Sequence, residues 1–567
     1  MSFQVFLDIA VVVLRFLLPV YAIVIIYQCF ASMRRHRRPE KPLVTLEIKS
    51  TGQKLPVLFW ENSIGRSRGS DISVADMTVS RDHCVLLRRT EGWFVSDIGS
   101  KGGTYVNGQR CDGRTRVLID DEITVGSTTF VLKRGEEFNE RIRPSWFFTK
   151  ASNKGSLQPY KLMILITFFH LFMAVEACFT NEVQDFVPLQ VFVIMEVAVW
   201  VFFLLSSHVF NRVNFELEAL AVFLSGLGVM LLVRQELRSA YVQLIAMALG
   251  MALFSFLVKF IENPDRVNSW RMAIMIGAVG LLAINIVFGR VQYGAANWIS
   301  IGGITIQPSE FVKVAFIFVG AAALDKLQTK RNFFEFIVFS AICVGALALM
   351  GDFGTALIFF ATFLLIAFMR SGDFKTVILA VVAAVFAGTI VLKFKPYVAD
   401  RFSAWGHVWE HAQDTAYQQA RVLTYTASGG LPGVGVGNGY LKYIAASESD
   451  LVFGLVAEEM GVIVAFALAF AVVALAFYSR AVTTRSRSSF YSISACCAAG
   501  LMVIQSALNI FGATDILPLT GVTLPFVSAG GSSMIACWGL IAFIKAADER
   551  TYAAKRHRRL RDEEVSR

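Results

Sequence analysis

The stretch ASESDLVFGLVAEEMG, residues 446–461, places Asp450, Glu458 and Glu459 at the mouth and in the interior of a long apolar run. A carboxylate at membrane depth costs about 3 kcal/mol on insertion, so acids are retained there for a use. Three uses suit them: taking a proton as a general base, pairing a cation, or carrying protons. Asp450, just before the run, also stands where a helix N-cap would. At 100° per residue Glu458 lies about 80° round from Asp450 and Glu459 about 180°. One of the pair can therefore share the side of Asp450 while the other meets neighbouring helices. Four more polar stretches interrupt apolar sequence: YGAANWISIGGITIQPSEFVK (293–313), GDFGTA (351–356), TAYQQARVLTYTASGGLPGVGVGNG (415–439) and NIFGATDILPLTGVTLPFVSAGGSS (509–533). They hold the cations Lys313 and Arg421, and Lys442 follows three residues after the third stretch; all three are suited to stabilising an anionic leaving group.

Composition dictates what must position these residues. Of 567 residues, 55% are hydrophobic and 17% charged, with 49 phenylalanines and a mean hydropathy of +0.57. Most of such a chain cannot be a water-soluble globule. Thirteen apolar runs approach the ~20 residues a spanning helix needs: 6–30, 160–180, 186–206, 215–234, 239–260, 270–289, 309–325, 334–350, 353–369, 374–393, 451–478, 490–512 and 523–545. The formal net charge of +10 comes largely from RRHRR (34–38), KRHRRLR (555–561) and short loops between runs, around Arg212, Arg266, Arg271, Arg370, Lys375, Arg480, Arg485 and Arg487. That asymmetry is a topology signal, not a nucleic-acid surface. It predicts an extracytoplasmic N-terminus, cytoplasmic residues 31–159, a cytoplasmic C-terminus, and residues 290–308, 394–450 and 512–522 together on the outer face. The first run exceeds a signal-peptide core and lacks a small-residue cleavage site, so it reads as an anchor over 1–30. Eight cysteines show no CxxC spacing, and neither a disulfide nor a zinc site is expected.

Between the first two runs, residues 43–134 break into short β-prone pieces with Gly, Asn and Asp turns, the pattern of a β-sandwich. Within it, IGRSRGSDISVADMTVSRDHCVLLRRTEGWFVSDIGSKGGTYVNGQ carries Gly-Arg, Ser-x-x-His and Gly-Thr-x-x-Asn-Gly in order. The segment resembles a forkhead-associated (FHA) domain, a phosphothreonine-binding module. The resemblance implies that Arg66 and Ser80 hold the phosphate and that His83 and the Asn-Gly pair brace the loops. Arg81 and Lys101 add positive charge beside them, and Thr104 and Asn107 complete the expected phosphopeptide set. A guanidinium with a loop hydroxyl gives charge-assisted donors to a dianion. Gly102 stands where many members have a peptide-gripping Asn. Residues 135–159 read as a polar linker.

The five polar stretches, in order over about residues 213–546, resemble the SEDS family of FtsW and RodA type, membrane glycosyltransferases that polymerise lipid II; LPLTGVTLPFVSAGGSS is nearly a signature. Each stretch also has a purely structural use. Pro308 and Glu310 suit a first helical turn, the glycine string suits a flexible loop, SAGGSS suits close helix packing, and Asp352 suits a membrane rim. The resemblance implies Asp450 as general base, deprotonating the GlcNAc 4-hydroxyl as it attacks the anomeric carbon of lipid-linked MurNAc. It implies substrate contacts from Trp298, Gln307, Glu310, Lys313, Asp352, Thr355, Gln418, Arg421, Asn438, Lys442, Glu458, Ser528 and Ser532. Asn297 replaces a frequent Arg, and Ser447, Glu448 and Ser449 replace a frequent Ala-His-Thr. A divalent cation, Mg²⁺ or Mn²⁺, is expected at the leaving diphosphate, with Asp450 sharing it and no other ligand legible.

The expected molecule is a polytopic α-helical membrane protein of about thirteen spans, ten of them the SEDS core, with a cytoplasmic all-β FHA sandwich inserted after the first. Its divisions are the anchor 1–30, the FHA domain 43–134, the linker 135–159, two extra spans over 160–206, the core 213–546 and a basic tail 547–567. The expected partners are lipid II and nascent glycan, a class B penicillin-binding protein transpeptidase, and a phosphothreonine protein linked to a Ser/Thr kinase. A lipid II transporter, or an idle scaffold for the transpeptidase, is the competing class.

Overall fold

The computed structural model describes residues 3–35, 44–57, 60–67, 70–89, 91–134, 159–179, 185–209, 214–292, 295–301, 304–323, 330–371, 374–483, 488–548 and 551. The expected linker, save Pro159, lies outside them, as do the basic clusters 36–38 and 555–561.

Helix α1 (Phe3–Arg35) precedes the sandwich. One sheet has the order β2-β1-β11-β10-β7-β8, from β1 (Val44–Ile48), β2 (Lys54–Val57), β7 (Thr104–Val106), β8 (Gln109–Arg110), β10 (Glu122–Val125) and β11 (Thr128–Arg134). The other has the order β4-β3-β5-β6-β9, from β3 (Glu61–Gly65), β4 (Ile72–Ser73), β5 (Cys84–Arg89), β6 (Gly92–Asp97) and β9 (Arg114–Val117). Alternation sends Leu46, Ile64, Leu86, Val95, Ile123, Phe130 and Leu132 into one core between the sheets.

The membrane part follows as α2 (Pro159–Cys178), α3 (Val187–Leu204), α4 (Glu216–Leu232), α5 (Leu237–Phe260), α6 (Pro264–Phe288), α7 (Pro308–Ala323), α8 (Lys330–Leu349), α9 (Phe353–Ser371) and α10 (Phe374–Phe394). Two short helices, α11 (Pro396–Ala404) and α12 (Tyr417–Gly429), lead to α13 (Val452–Glu459), α14 (Val462–Thr483), α15 (Ser489–Ala513) and α16 (Gly531–Ala547). Among the described residues, eight helices are long and apolar enough to cross a membrane by length and composition. The fold class read from the sequence stands: membrane helices joined to an all-β domain. Helix α16 packs along α5, α7 and α15, while α15 also packs on α14 and α9.

Three sequence expectations change. The run 451–478 is two helices, because Gly461 between them has φ 86° and packs its α-carbon against the Leu431 carbonyl, where a Cβ would lie 2.0 Å from that oxygen. The run 523–545 becomes helical only at Gly531. Pro518 and Pro525 cannot donate to a helical ladder, and residues 514–530 form an irregular strap held by side chains. The stretch 290–306, expected on the outer face, is not plain loop: β12 (Arg290–Gln292), β13 (Ala295–Ile301) and β14 (Ile304–Ile306) make an antiparallel meander.

Candidate active site

Asp450 lies one residue before the N-cap of α13. That cap is Leu451, without a side-chain capping bond, so the capping use open to Asp450 in the sequence is not made. Its position is fixed through the backbone. The Asn509 amide, from α15, donates to the Asp450 carbonyl at 2.9 Å and to the Val522 carbonyl at 2.7 Å. The carboxylate faces Gly521, whose φ of 70° and missing side chain leave it room. Burial pushes the Asp450 carboxyl up to about 6; a bond from Ser449 and the nearby Arg401 guanidinium oppose that rise, and Glu448 and Asp352 add to it. Arg401, on α11, also donates to the Leu519 carbonyl at 3.1 Å, tying the helix to the strap.

The strap is knitted to the other polar stretches. Ser528 accepts from the Leu524 N–H at 2.8 Å and donates to the Ser449 carbonyl, one residue from Asp450. Ser532 accepts the Gln307 N–H at 3.0 Å. Asp352 is the hub of a second group, accepting from the Asn297 amide at 2.8 Å, the Gln307 amide at 3.3 Å and the Thr355 N–H at 3.0 Å. Asn297, standing where the resembled family often has Arg, thus orients an acid. Trp298 is half-buried on β13 opposite Arg290. Beneath lies a buried ion pair: the Lys313 ammonium donates to Glu310 at 2.8 Å and to Gln505 at 2.9 Å, while the Gln505 amide holds Thr523. Both charges are nearly inaccessible, so Glu310 and Lys313 position α7 against α15 and reach no ligand as they stand.

The glycine string folds around the other two acids. Glu458 accepts from the Tyr440 N–H at 2.7 Å and the Leu441 N–H at 2.9 Å, and Glu459 from the Gly437 N–H at 2.8 Å. Both are buried, so Glu458 holds a loop where the sequence reading gave it substrate, and neither acid is the outward-facing member of a pair. Asn438 donates to the Val434 carbonyl, and Lys442 donates to the Gly437 carbonyl and lies over the Tyr443 ring. Gln418 anchors α12 through the Ala445 carbonyl at 2.9 Å, and Arg421 stacks on Tyr417. From the added helices, Arg15 pairs with Glu176 at 3.1 Å against Gly435, where a Cβ would lie 2.4 Å from the guanidinium.

Sequence reasoning missed Arg401, Gln505, Asn509 and Arg15. Asn509 stood inside a quoted motif, and Arg401 is a cation in a stretch expected on the outer face, a usable signal; the roles of Gln505 and Arg15 depend on helix packing alone. Among the described residues no group of three or more His, Cys, Asp or Glu forms a metal site.

In the sandwich, Arg66, Arg81 and Lys101 are exposed at one end. The Ser80 hydroxyl accepts the Lys101 N–H at 3.0 Å, and His83 braces the Ser80 N–H and the Gly103 carbonyl. Thr104 is fully buried and donates to Asp97, and Asn107 bonds Asp121 and the Glu122 N–H. These two support the loops and do not present donors to a ligand.

The profile of the FtsW/RodA/SpoVE family, described as cell cycle protein, matches residues 216–553. The chain belongs to this family. An FHA domain profile matches residues 62–126. A probable peptidoglycan glycosyltransferase FtsW of Bacillus subtilis is 30% identical over 53% of this chain and 79% of its own length. A peptidoglycan glycosyltransferase RodA of Mycobacterium bovis is 28% identical over 57% of this chain and 75% of its own. A solved chain from a peptidoglycan synthase complex coordinating polymerization and crosslinking is 25% identical, with a TM-score of 0.50 over 58% of this chain and 96% of its own. The FtsW/RodA/SpoVE match takes in every residue of the site but Arg15 and Glu176, which come from helices outside it.

Proposed function

We propose that the chain is an inverting peptidoglycan glycosyltransferase that polymerises lipid II at the outer face of the cytoplasmic membrane. The observation that carries this reading is Asp450. Its backbone is held by Asn509, its carboxylate is spent on no cap, and burial brings its pKa to about 6, the range a general base needs near neutral pH. In the reaction the GlcNAc 4-hydroxyl oxygen bonds to the anomeric carbon of lipid-linked MurNAc while Asp450 takes its proton. The carbon–oxygen bond to the diphosphate breaks on the opposite face, its electrons leave with the polyprenyl diphosphate, and α becomes β. Arg401, Arg421 and Lys442, all within residues 394–450, are cations available to the leaving group. A divalent cation fits the donor set as one carboxylate, Asp450, completed by substrate phosphate and water, and when bound it would neutralise diphosphate charge.

Glu458 and Glu459, the acids a transporter would use to carry protons, both serve main-chain N–H groups, which favours the polymerase. Relatives named for wall synthesis, and one solved in a synthase complex, make a class B penicillin-binding protein the expected partner. The purified chain, incubated with labelled lipid II with and without that transpeptidase, should yield a glycan ladder. Asp450→Asn, nearly isosteric and with no cap to lose, should lower the rate by about 10²-fold to 10⁴-fold while keeping partner binding. A variant as active as wild type would sink the base assignment, and a wild type that makes no glycan would leave the transporter or scaffold reading.

The FHA domain is assigned phosphothreonine recognition, with Arg66, Ser80, Arg81 and Lys101 facing the phosphate, which links the enzyme to a Ser/Thr kinase. Pull-down from phosphorylated and phosphatase-treated lysate should lose its partners on dephosphorylation and on Arg66→Ala. Equal capture throughout would remove the assignment.

A further inference from the structure

Among the described residues, the FHA domain touches the membrane part at two helix N-termini. Arg114 on β9 pairs with Asp265, in the first turn of α6, at 2.7 Å. Glu61, the first residue of β3, accepts from the N–H and the hydroxyl of Ser489 at 3.3 and 3.4 Å, and Ser489 opens α15. The other Glu61 oxygen takes Arg89 at 2.9 Å. Glu61 is 2% exposed, and a carboxylate so desolvated is tolerated only where its partners are in place. The positive end of the α15 dipole favours the same negative charge.

From Ser489, α15 runs 25 residues, about 37 Å at 1.5 Å per residue, the thickness of a bilayer core and more. Near its far end stand Gln505, which holds Lys313 and Thr523, and Asn509, which holds the Asp450 carbonyl and the strap. Helices α7, α9, α14 and α16 pack on it. A helix clamped on several sides shifts as a unit, since packed interiors do not deform locally. One element therefore joins a cytoplasmic domain to the loop of the outer carboxylate. The phosphate-facing loops leave this contact uncovered: Arg66 follows the last residue of β3, about 16 Å along the strand from Glu61.

We infer that the FHA domain is a docked control element of the synthase, and that α15, gripped by Glu61 at one end and gripping the Asp450 loop through Asn509 at the other, transmits its docking to the catalytic geometry. The inference rests on the polymerase reading. It makes Asn509 a positioning residue for the base and Glu61 its remote counterpart.

Ser489→Pro tests it in the full-length protein. Proline suits a first helical position, and Ser488, with φ −158° and ψ 167°, already has the extended conformation required before proline. The change deletes the two donors that Ser489 gives Glu61 and leaves the helix intact. The expected result is a fall in kcat of about three- to tenfold, the size of coupling effects away from ligands, with KM for lipid II unchanged. Amide hydrogen exchange should rise at residues 489–495 and also at 446–452. Arg114→Glu and Asp265→Arg should each act in the same direction, and their combination should restore the wild-type values. Faster exchange confined to 489–495 with unchanged kcat would overturn the coupling, as would failure of the combined reversal to restore. The exchange readout needs no activity, so a wild type without glycan product would fail the polymerase reading and leave the coupling to be judged by exchange at 446–452.

Discussion

Asp450 shows how one acid is set apart from its neighbours by surroundings alone. Glu458 and Glu459 each accept main-chain N–H bonds, and Asp352 accepts three donors, whereas the Asp450 carboxyl is held up at about 6, chiefly by burial. A base works deprotonated, so kcat/KM should fall as pH drops through about 6. Arg401 favours the charged form, hence Arg401→Gln should raise that pKa and move the acid limb to higher pH. A limb unmoved by the substitution would show that Arg401 does not face the base. The limb is to be measured as initial rates of glycan formation on the full chain, across a buffer series at constant ionic strength.

At the scale of elements, the site depends on where helices stop. Gly461 separates α13 from α14, and the stop lets α13 end with Glu458 and Glu459 pointed at the glycine loop. Gly461→Ala would put a methyl group 2.0 Å from the Leu431 oxygen at φ 86°. Strain of this kind costs about 1–3 kcal/mol before the clash is counted, so the apparent melting midpoint of the detergent-solubilised protein should fall by several degrees. An unchanged midpoint would mean that the junction relaxes freely. The strap 514–530 obeys the same logic, because prolines deny it a ladder and its order comes from Asn509, Gln505, Ser528 and Arg401.

Over the whole molecule, the FHA domain contacts the first turn of α6 and the start of α15, beside connections that Lys/Arg placement predicts to be cytoplasmic. The polar stretches around Asp450 lie at the opposite end of α15. A cysteine-free chain carrying Ala445→Cys, an exposed position, should react with an impermeant maleimide in intact cells. Gln109→Cys, exposed on the FHA domain, should react only after lysis. The reverse pattern would invert the molecule and remove the enzyme reading with it. Ser447, two residues beyond Ala445, is buried and unsuited to the probe.

Hydropathy was enough to read the membrane class and most helical runs, since a bilayer imposes length and polarity on every span separately, but not the break at Gly461 or the late start of α16 at Gly531. The FHA sandwich was legible because its turns need Gly and Asn at fixed offsets, as the φ of 49° at Asn107 illustrates. Asp450 was legible only as an acid of a recognisable pattern, with a cap as its rival, and that choice depended on which residue begins α13. Tertiary structure alone decided that Glu458 faces a loop, that Glu310 and Lys313 are sealed together, that Asn509 and Arg401 meet at the strap, and that Arg15 reaches the glycine string. Local pattern carries the burial and secondary-structure preference of each segment, but a side chain's partner is set by packing between segments, which no single stretch of chain encodes.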